Sequence, residues 1–223
     1  MDDFERYGDY NDTEEPIKPS RAPLVLKIIS FCLIAVIVVT VGIRMFIFDY
    51  YPPEMSRLYF NDTLTAYYNS TSEFSPTTQT LRAAYDNPDE GNFFADKLIL
   101  IKEIGQLQIC MRYNISVADT LVAKYGLADF DTENTTQFSF RLWRSDGGEG
   151  HETGSLSYSA STSFAMYRYT KLVFDGVDFD GADWIRLEIF VDGIDKPFMI
   201  AVYENNESYD KFDDYKVGKG ERP

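Results

Sequence analysis

A chain of 223 residues has room for one domain of ordinary size and a membrane span, and scarcely for two domains. Its formal net charge of −15, from 36 acidic and 21 basic side chains, gives phosphate backbones no basic stripe and excludes nucleic acid as an expected partner. Aromatic residues reach 16%, a composition that suits pleated, half-buried strands and points to a β-rich fold.

Residues 1–23 are acidic, rich in breakers and without hydrophobic period, as in a disordered cytoplasmic tail. Residues 24–48, "LVLKIISFCLIAVIVVTVGIRMFIF", are apolar on every side and uncharged from 28 to 43. At 1.5 Å per residue such a helix crosses the ~30 Å hydrocarbon layer of a lipid bilayer. Lys27 and Arg44 stand near its ends, where long cationic side chains lift their charge into the headgroups. Lys18, Arg21 and Lys27 precede the apolar run, and Asp49 to Glu54 follow it. The positive-inside rule then sets the amino terminus in the cytoplasm and the rest outside a plasma membrane. No small-residue cleavage site follows the apolar core, so the segment reads as an uncleaved signal anchor.

Cys32 lies in the span and Cys110 is the other cysteine, so the outer region is expected to fold without an internal disulfide, as suits a bacterial surface. Six of nine asparagines head Asn-x-Ser/Thr triplets (Asn11, Asn61, Asn69, Asn114, Asn134 and Asn206), which keeps a glycosylated eukaryotic surface open.

Pro52 and Pro53 stop the helix, and residues 49–92 read as a juxtamembrane connector holding one or two short helices. Residues 93–205 form the expected β-rich domain. Residues 93–101 and 106–114 predict a hairpin, with Leu107, Ile109, Met111 and Tyr113 on one face and Gln106, Gln108, Cys110 and Arg112 on the other. Ser116 with Asp119 predicts a capped helix that stops at Gly126. A strand follows at 137–143 and a glycine-rich loop at 145–154. From Ser155 to Ser163 every second residue is serine, which in a regular strand lines one face with hydroxyls, a solvated sheet face. Strands are predicted at 165–174, 184–191 and 198–203, the second with Ile185, Leu187, Ile189 and Val191 inward. Residues 206–223 read as a flexible tail. The pattern predicts an antiparallel β-sandwich of immunoglobulin-like class with one or two short helices, preceded by a single transmembrane helix.

"FDGVDFDGADW" sets Asp175, Asp178, Asp180 and Asp183 between two predicted strands. Clustered carboxylates could hold calcium, but the twelve-residue calcium loop does not fit: with Gly181 at position six, Gly176 stands at position one and Leu187 at twelve. The Asp-Gly pairs at 175–176 and 180–181 instead fit tight turns, the favoured reading.

His151 is the one histidine, which excludes zinc sites built on several imidazoles, and no nucleophile elbow or nucleotide-binding glycine loop occurs. Cys110 lacks a base beside it in sequence. No cofactor is expected. The reading that remains is a non-catalytic, membrane-anchored module that meets a protein, peptide or glycan, with Trp143, Tyr158, Tyr167, Tyr169, Trp184 and Phe190 as candidate contacts. The alternatives are a surface hydrolase using an unrecognised Asp/Glu pair and an accessory subunit of a membrane complex.

Overall fold

The structure is a computed structural model that describes residues 22–127, 137–148, 150–205, 207–208 and 210–211. Residues 1–21 of the expected tail at 1–23, and most of the expected tail at 206–223, lie outside these residues. The chain divides after Tyr50 into two compact units, each described by itself.

The first holds α1 (Ala22–Asp49). It is the one helix among the described residues long and apolar enough to cross a membrane. Its apolar side chains, from Leu24 to Phe48, stand exposed on all sides.

The second unit is mainly β. It opens with two short helices, α2 (Pro53–Ser56) and α3 (Asp62–Ser70), and continues with β1 (Thr77–Asn87), β2 (Gly91–Ile101), β3 (Gln106–Asn114), α4 (Val117–Tyr125), β4 (Phe138–Ser145), β5 (His151–Glu152), β6 (Ser155–Phe164), β7 (Tyr167–Asp175), β8 (Trp184–Val191), β9 (Phe198–Glu204) and β10 (Asp210–Lys211). The strands form two antiparallel sheets. The six-stranded sheet A runs β10-β1-β2-β3-β7-β6, and the four-stranded sheet B runs β5-β4-β8-β9.

One hydrophobic cluster joins the sheets. Sheet A gives it Phe93, Leu98, Leu107, Ile109, Met111, Tyr113, Leu172 and Phe174; sheet B gives Leu142, Ile185, Leu187, Ile189, Val191 and Ile200; α4 adds Val117 and Leu121. The inward sets predicted for the strands at 106–114 and 184–191 thus occupy the core. A second, smaller cluster on the other side of sheet A gathers Leu58, Leu64, Ile99 and Ile101.

The structure differs from the sequence reading in four places. Residues 77–87, expected within a connector, form β1 on β2 in register from Thr77 opposite Leu100 to Asn87 opposite Gly91. Asp210 and Lys211, expected in a tail, pair with Thr78 and Thr77. Ser116 stands at the α4 N-cap but donates its hydroxyl back to Asn114 Oδ1 at 2.8 Å and caps nothing. The serine row is broken because β6 bulges between Leu156 and Tyr158. Directly paired residues share a face, so Ser159, Ser161 and Ser163, opposite Leu172, Thr170 and Arg168, lie on the core side, whereas Ser155 opposite Asp175 lies on the other.

Candidate functional site

The six candidate aromatic residues fall into two groups on different sheets. Tyr158, Tyr167 and Tyr169 belong to the outer side of sheet A, which the chain itself covers. Residues 51–64 run along it. Tyr51 donates its hydroxyl to the Met111 carbonyl at 3.2 Å and sets its ring edge-on to Tyr169, with centroids 5.0 Å apart. Tyr59 stacks on Tyr158 at 3.7 Å and 12°. Tyr169 is fully buried, so it is part of the packing and not a contact open to a partner.

Beneath this covering lies the polar face of β3. Gln106, Gln108, Cys110 and Arg112 are all buried. Gln108 acts as a surrogate strand partner: its amide donates to the Tyr59 carbonyl at 2.7 Å and accepts from the Tyr59 N–H at 2.9 Å. Gln106 donates to Asp175 and to Asn61 at 2.7 and 3.0 Å. Asn61 donates to the same carboxylate at 2.7 Å while its oxygen caps α3 at the Leu64 N–H. Its amide is therefore engaged, whereas Asn69 on α3 is exposed.

Three side chains in one row across sheet A, Lys97, Cys110 and Lys171, meet the carbonyls that end α2. Lys97 donates to Ser56 at 3.2 Å, Lys171 to Arg57 and Met55, and Cys110 to Met55. Cations suit these carbonyls because the carboxyl end of a helix carries partial negative charge. Burial lowers the Lys171 pKa and raises that of Cys110, so the thiol stays protonated and inert. Asp96, the residue at the β2 bulge, lies 3.0 Å from Arg112. Burial raises its carboxyl from 3.8 to about 6, although Arg112 pulls the other way.

Trp143, Trp184 and Phe190 belong to the other group, on the outer face of sheet B. Phe190 lies opposite Ser139, Glu188 opposite Arg141, Arg186 opposite Trp143 and Trp184 opposite Ser145. Arg186 covers the Trp184 ring at 4.2 Å and Arg141 covers Phe190 at 4.9 Å. The rings are half-buried, and Met199 beside them is 41% exposed. Partial burial raises the pKa of Glu188. The face can therefore offer flat aromatic surface and guanidinium groups side by side.

The aspartates do not converge on a common point. Asp175 binds Asn61 and Gln106. Asp178 accepts from Arg144 and, through its other oxygen, from the Asp180 N–H at 3.0 Å, and the Asp180 carbonyl accepts from Arg144 at 2.9 Å. The Asp183 backbone pairs with Ser145 and Asn205. Gly176 and Gly181 take positive φ of 71° and 67°. Arg144, buried to 3% exposure and aimed into the loop, supplies the cation there. Among the described residues no group of three or more His, Cys, Asp or Glu side chains is placed to hold a metal. Arg144 was not singled out in the sequence; its place at an inward position of an alternating strand, "FSFRLWRS", was the available signal.

A cavity of about 560 Å³ lies where β1 passes β9, lined in part by Gln79, Thr80, Tyr203, Glu204 and Glu207. Neither Asp96 nor Glu188, the carboxyls with raised pKa among the described residues, lines it. His151 is exposed on β5, opposite Arg144. Comparison with protein-family models, curated proteins and solved structures finds no match to this chain.

Proposed function

We propose that the chain is a single-pass membrane protein whose outer region, two sheets stacked as a sandwich of immunoglobulin-like class, is a non-catalytic binding module that meets a protein, peptide or glycan through the outer face of sheet B. Apolar α1 supports the anchor, and the basic residues before it support a cytoplasmic amino terminus and a plasma-membrane setting. The observation that carries the binding reading is the composition of the sheet B face. The open side of an antiparallel sheet is ordinarily polar. This one presents Trp143, Trp184, Phe190 and Met199 with Arg141 and Arg186, the residue types that concentrate binding energy at protein interfaces.

The test places a photo-crosslinking residue at Met199, on the face, and at Asn69, exposed on α3, in the full chain in native membranes. The reading expects a discrete adduct from 199 that Arg186→Glu abolishes, and no such adduct from 69. Equal labelling from both positions, or none from 199, would refute it.

A further inference from the structure

We propose that the turn between β6 and β7, with Ile115 beside it, rests in the outer leaflet of the bilayer that α1 crosses, so that the outer region holds a lipid surface at this one end. This rests on the anchor reading given above and makes no use of the sheet B face.

The turn is the two residues Ala165 and Met166, closed by the pair Phe164 and Tyr167. Two-residue hairpin turns need positive φ and are ordinarily filled by glycine, asparagine or aspartate, which suit water as well as the geometry. Here Ala165 takes φ of 52°, the one positive value outside glycine among the described residues. Met166 is 40% exposed, and the Ile115 N–H, donating to the Met166 carbonyl at 2.9 Å, sets Ile115 beside it at 38% exposure. Single exposed apolar side chains are common on soluble surfaces. These are not single: Phe-Ala-Met-Tyr with an isoleucine at its side makes a contiguous apolar tip, where backbone geometry favours small polar residues.

Chain length and charge single out the bilayer as the occupant. Tyr51 stands two residues beyond the last residue of α1, at most about 7 Å of extended chain at ~3.6 Å per residue. Its hydroxyl is bonded to Met111 and its ring meets Tyr169, whose own ring meets Tyr167 with centroids 6.3 Å apart. Tyr169 is three residues from Met166, about 10 Å along a strand at ~3.4 Å per residue. A spanning α1 therefore leaves the turn within reach of the headgroup layer, where tyrosines concentrate. From Ser155 to Phe174 the hairpin carries no acidic residue, although the chain has 36, and its charged residues are Arg168 and buried Lys171. Asp86, Asp89 and Glu90, at the same end of sheet A, stand around the β1–β2 turn on the far side of β3.

Methionine and isoleucine gain by leaving water for the acyl boundary, but two such side chains hold a membrane only weakly. The tether through α1 raises their effective concentration at the surface, and the seat restrains the tilt of the outer region.

The experiment uses the full chain with Cys32→Ala in phosphatidylcholine vesicles, carrying a small fluorescent label on Met166→Cys or, as control, on Ser155→Cys; Cys110 is buried and stays unlabelled. Ser155 is exposed on the same strand, nine residues before Phe164 and about 31 Å from it at ~3.4 Å per residue. Two quenchers are compared, iodide on both sides of the bilayer and phosphatidylcholine bearing a nitroxide on its acyl chain. The label at 166 is expected to be quenched by the lipid and shielded from iodide, and the label at 155 to show the reverse. With the label moved to exposed Ser163, Met166→Asp is expected to remove the lipid quenching seen with Met166 in place. Equal iodide quenching at 166 and 155 overturns the proposal. So does shielding at 166 from both quenchers, which marks protein, a second copy included, as the cover, and so does lipid quenching at 163 that survives Met166→Asp. Flotation reports the anchor separately: a chain that does not float with the vesicles refutes anchor and seat together, and one that floats without lipid quenching at 166 refutes the seat alone.

Discussion

Gln108→Leu tests whether the covering of sheet A is held by the hydrogen bonds described above. The Gln108 side chain is fully buried and makes three bonds, two with the Tyr59 backbone and one donated to Gln106 Oε1 at 2.9 Å. Leucine has nearly the same volume, so no cavity term enters and the loss isolates the polar contribution. At about 1 kcal/mol net per bond the change costs roughly 3 kcal/mol, weighted towards the Tyr59 N–H and C=O, which lose their partner under cover. In a domain of this size 1 kcal/mol moves the melting temperature by about 2–4 °C, so a fall of about 6–12 °C is expected. Calorimetry of the full chain in detergent micelles gives the shift, and hydrogen exchange at the Tyr59 amide gives its local origin. A fall below about 2 °C with Tyr59 still protected would refute the reasoning, because the covering would then be held by its apolar contacts alone.

Three further outcomes follow from the same geometry. The raised pKa of Asp96 means that the folded chain holds a proton between about 4 and 6 that the unfolded chain releases, so this group's contribution falls as pH rises through that window, by up to about 3 kcal/mol; Asp96→Asn should remove that slope, and parallel stability curves for both proteins from pH 4 to 7 would contradict it. Glu90 behaves oppositely: hydrogen bonds from Lys124, then Tyr125 and Tyr85, hold its carboxyl at about 2, so its contribution is present above pH 4.5 and lost as pH falls through 2. Glu90→Gln should therefore lower the melting temperature at pH 7, with the difference shrinking to a small remainder by pH 2. Gly105→Ala should cost more than Gly181→Ala by denaturant titration. Both take positive φ, worth about 1 kcal/mol, but a methyl at 105 meets the Val177 carbonyl at 2.8 Å and one at 181 meets nothing.

Where burial was one-sided, the sequence was readable. β8 alternates Ile, Leu, Ile and Val inward with Trp, Arg, Glu and Phe outward, and its limits match the prediction at Trp184 and Val191. The hairpin of β2 and β3 was readable because Leu107, Ile109, Met111 and Tyr113 alternate with Gln106, Gln108, Cys110 and Arg112, although both faces of β3 are buried. β1 was hidden because "TTQTLRAAYDN" mixes helix formers with polar residues, and its pairing with β2 is a tertiary fact. The bulges at Asp96 and Ser157 were hidden because an extra residue leaves no trace in a two-residue period until a partner strand exposes the shift. Of the candidate contacts, Trp143, Trp184 and Phe190 share one open face, whereas nothing in "YRYTKLVFD" distinguishes Tyr169, sealed beneath Tyr51, from half-buried Tyr167.

The two outer faces invert the usual relation between polarity and exposure. On sheet A the residues that alternation assigns to solvent, Gln106, Gln108, Cys110, Arg112 and Lys171, are buried, and their partners are carbonyls, amides and carboxylates brought by residues 51–64 and the strands beside them. On sheet B the outward residues include two tryptophans, a phenylalanine and a methionine, and none of the four is fully covered. Satisfying buried polar groups requires one particular backbone path, since a donor left unpaired costs about 1–3 kcal/mol, and that explains why residues 51–64 follow sheet A along a fixed course. Half-buried rings impose no such hydrogen-bonding requirement on the backbone of sheet B. That contrast is the physical ground for testing the outer face of sheet B as the proposed contact surface.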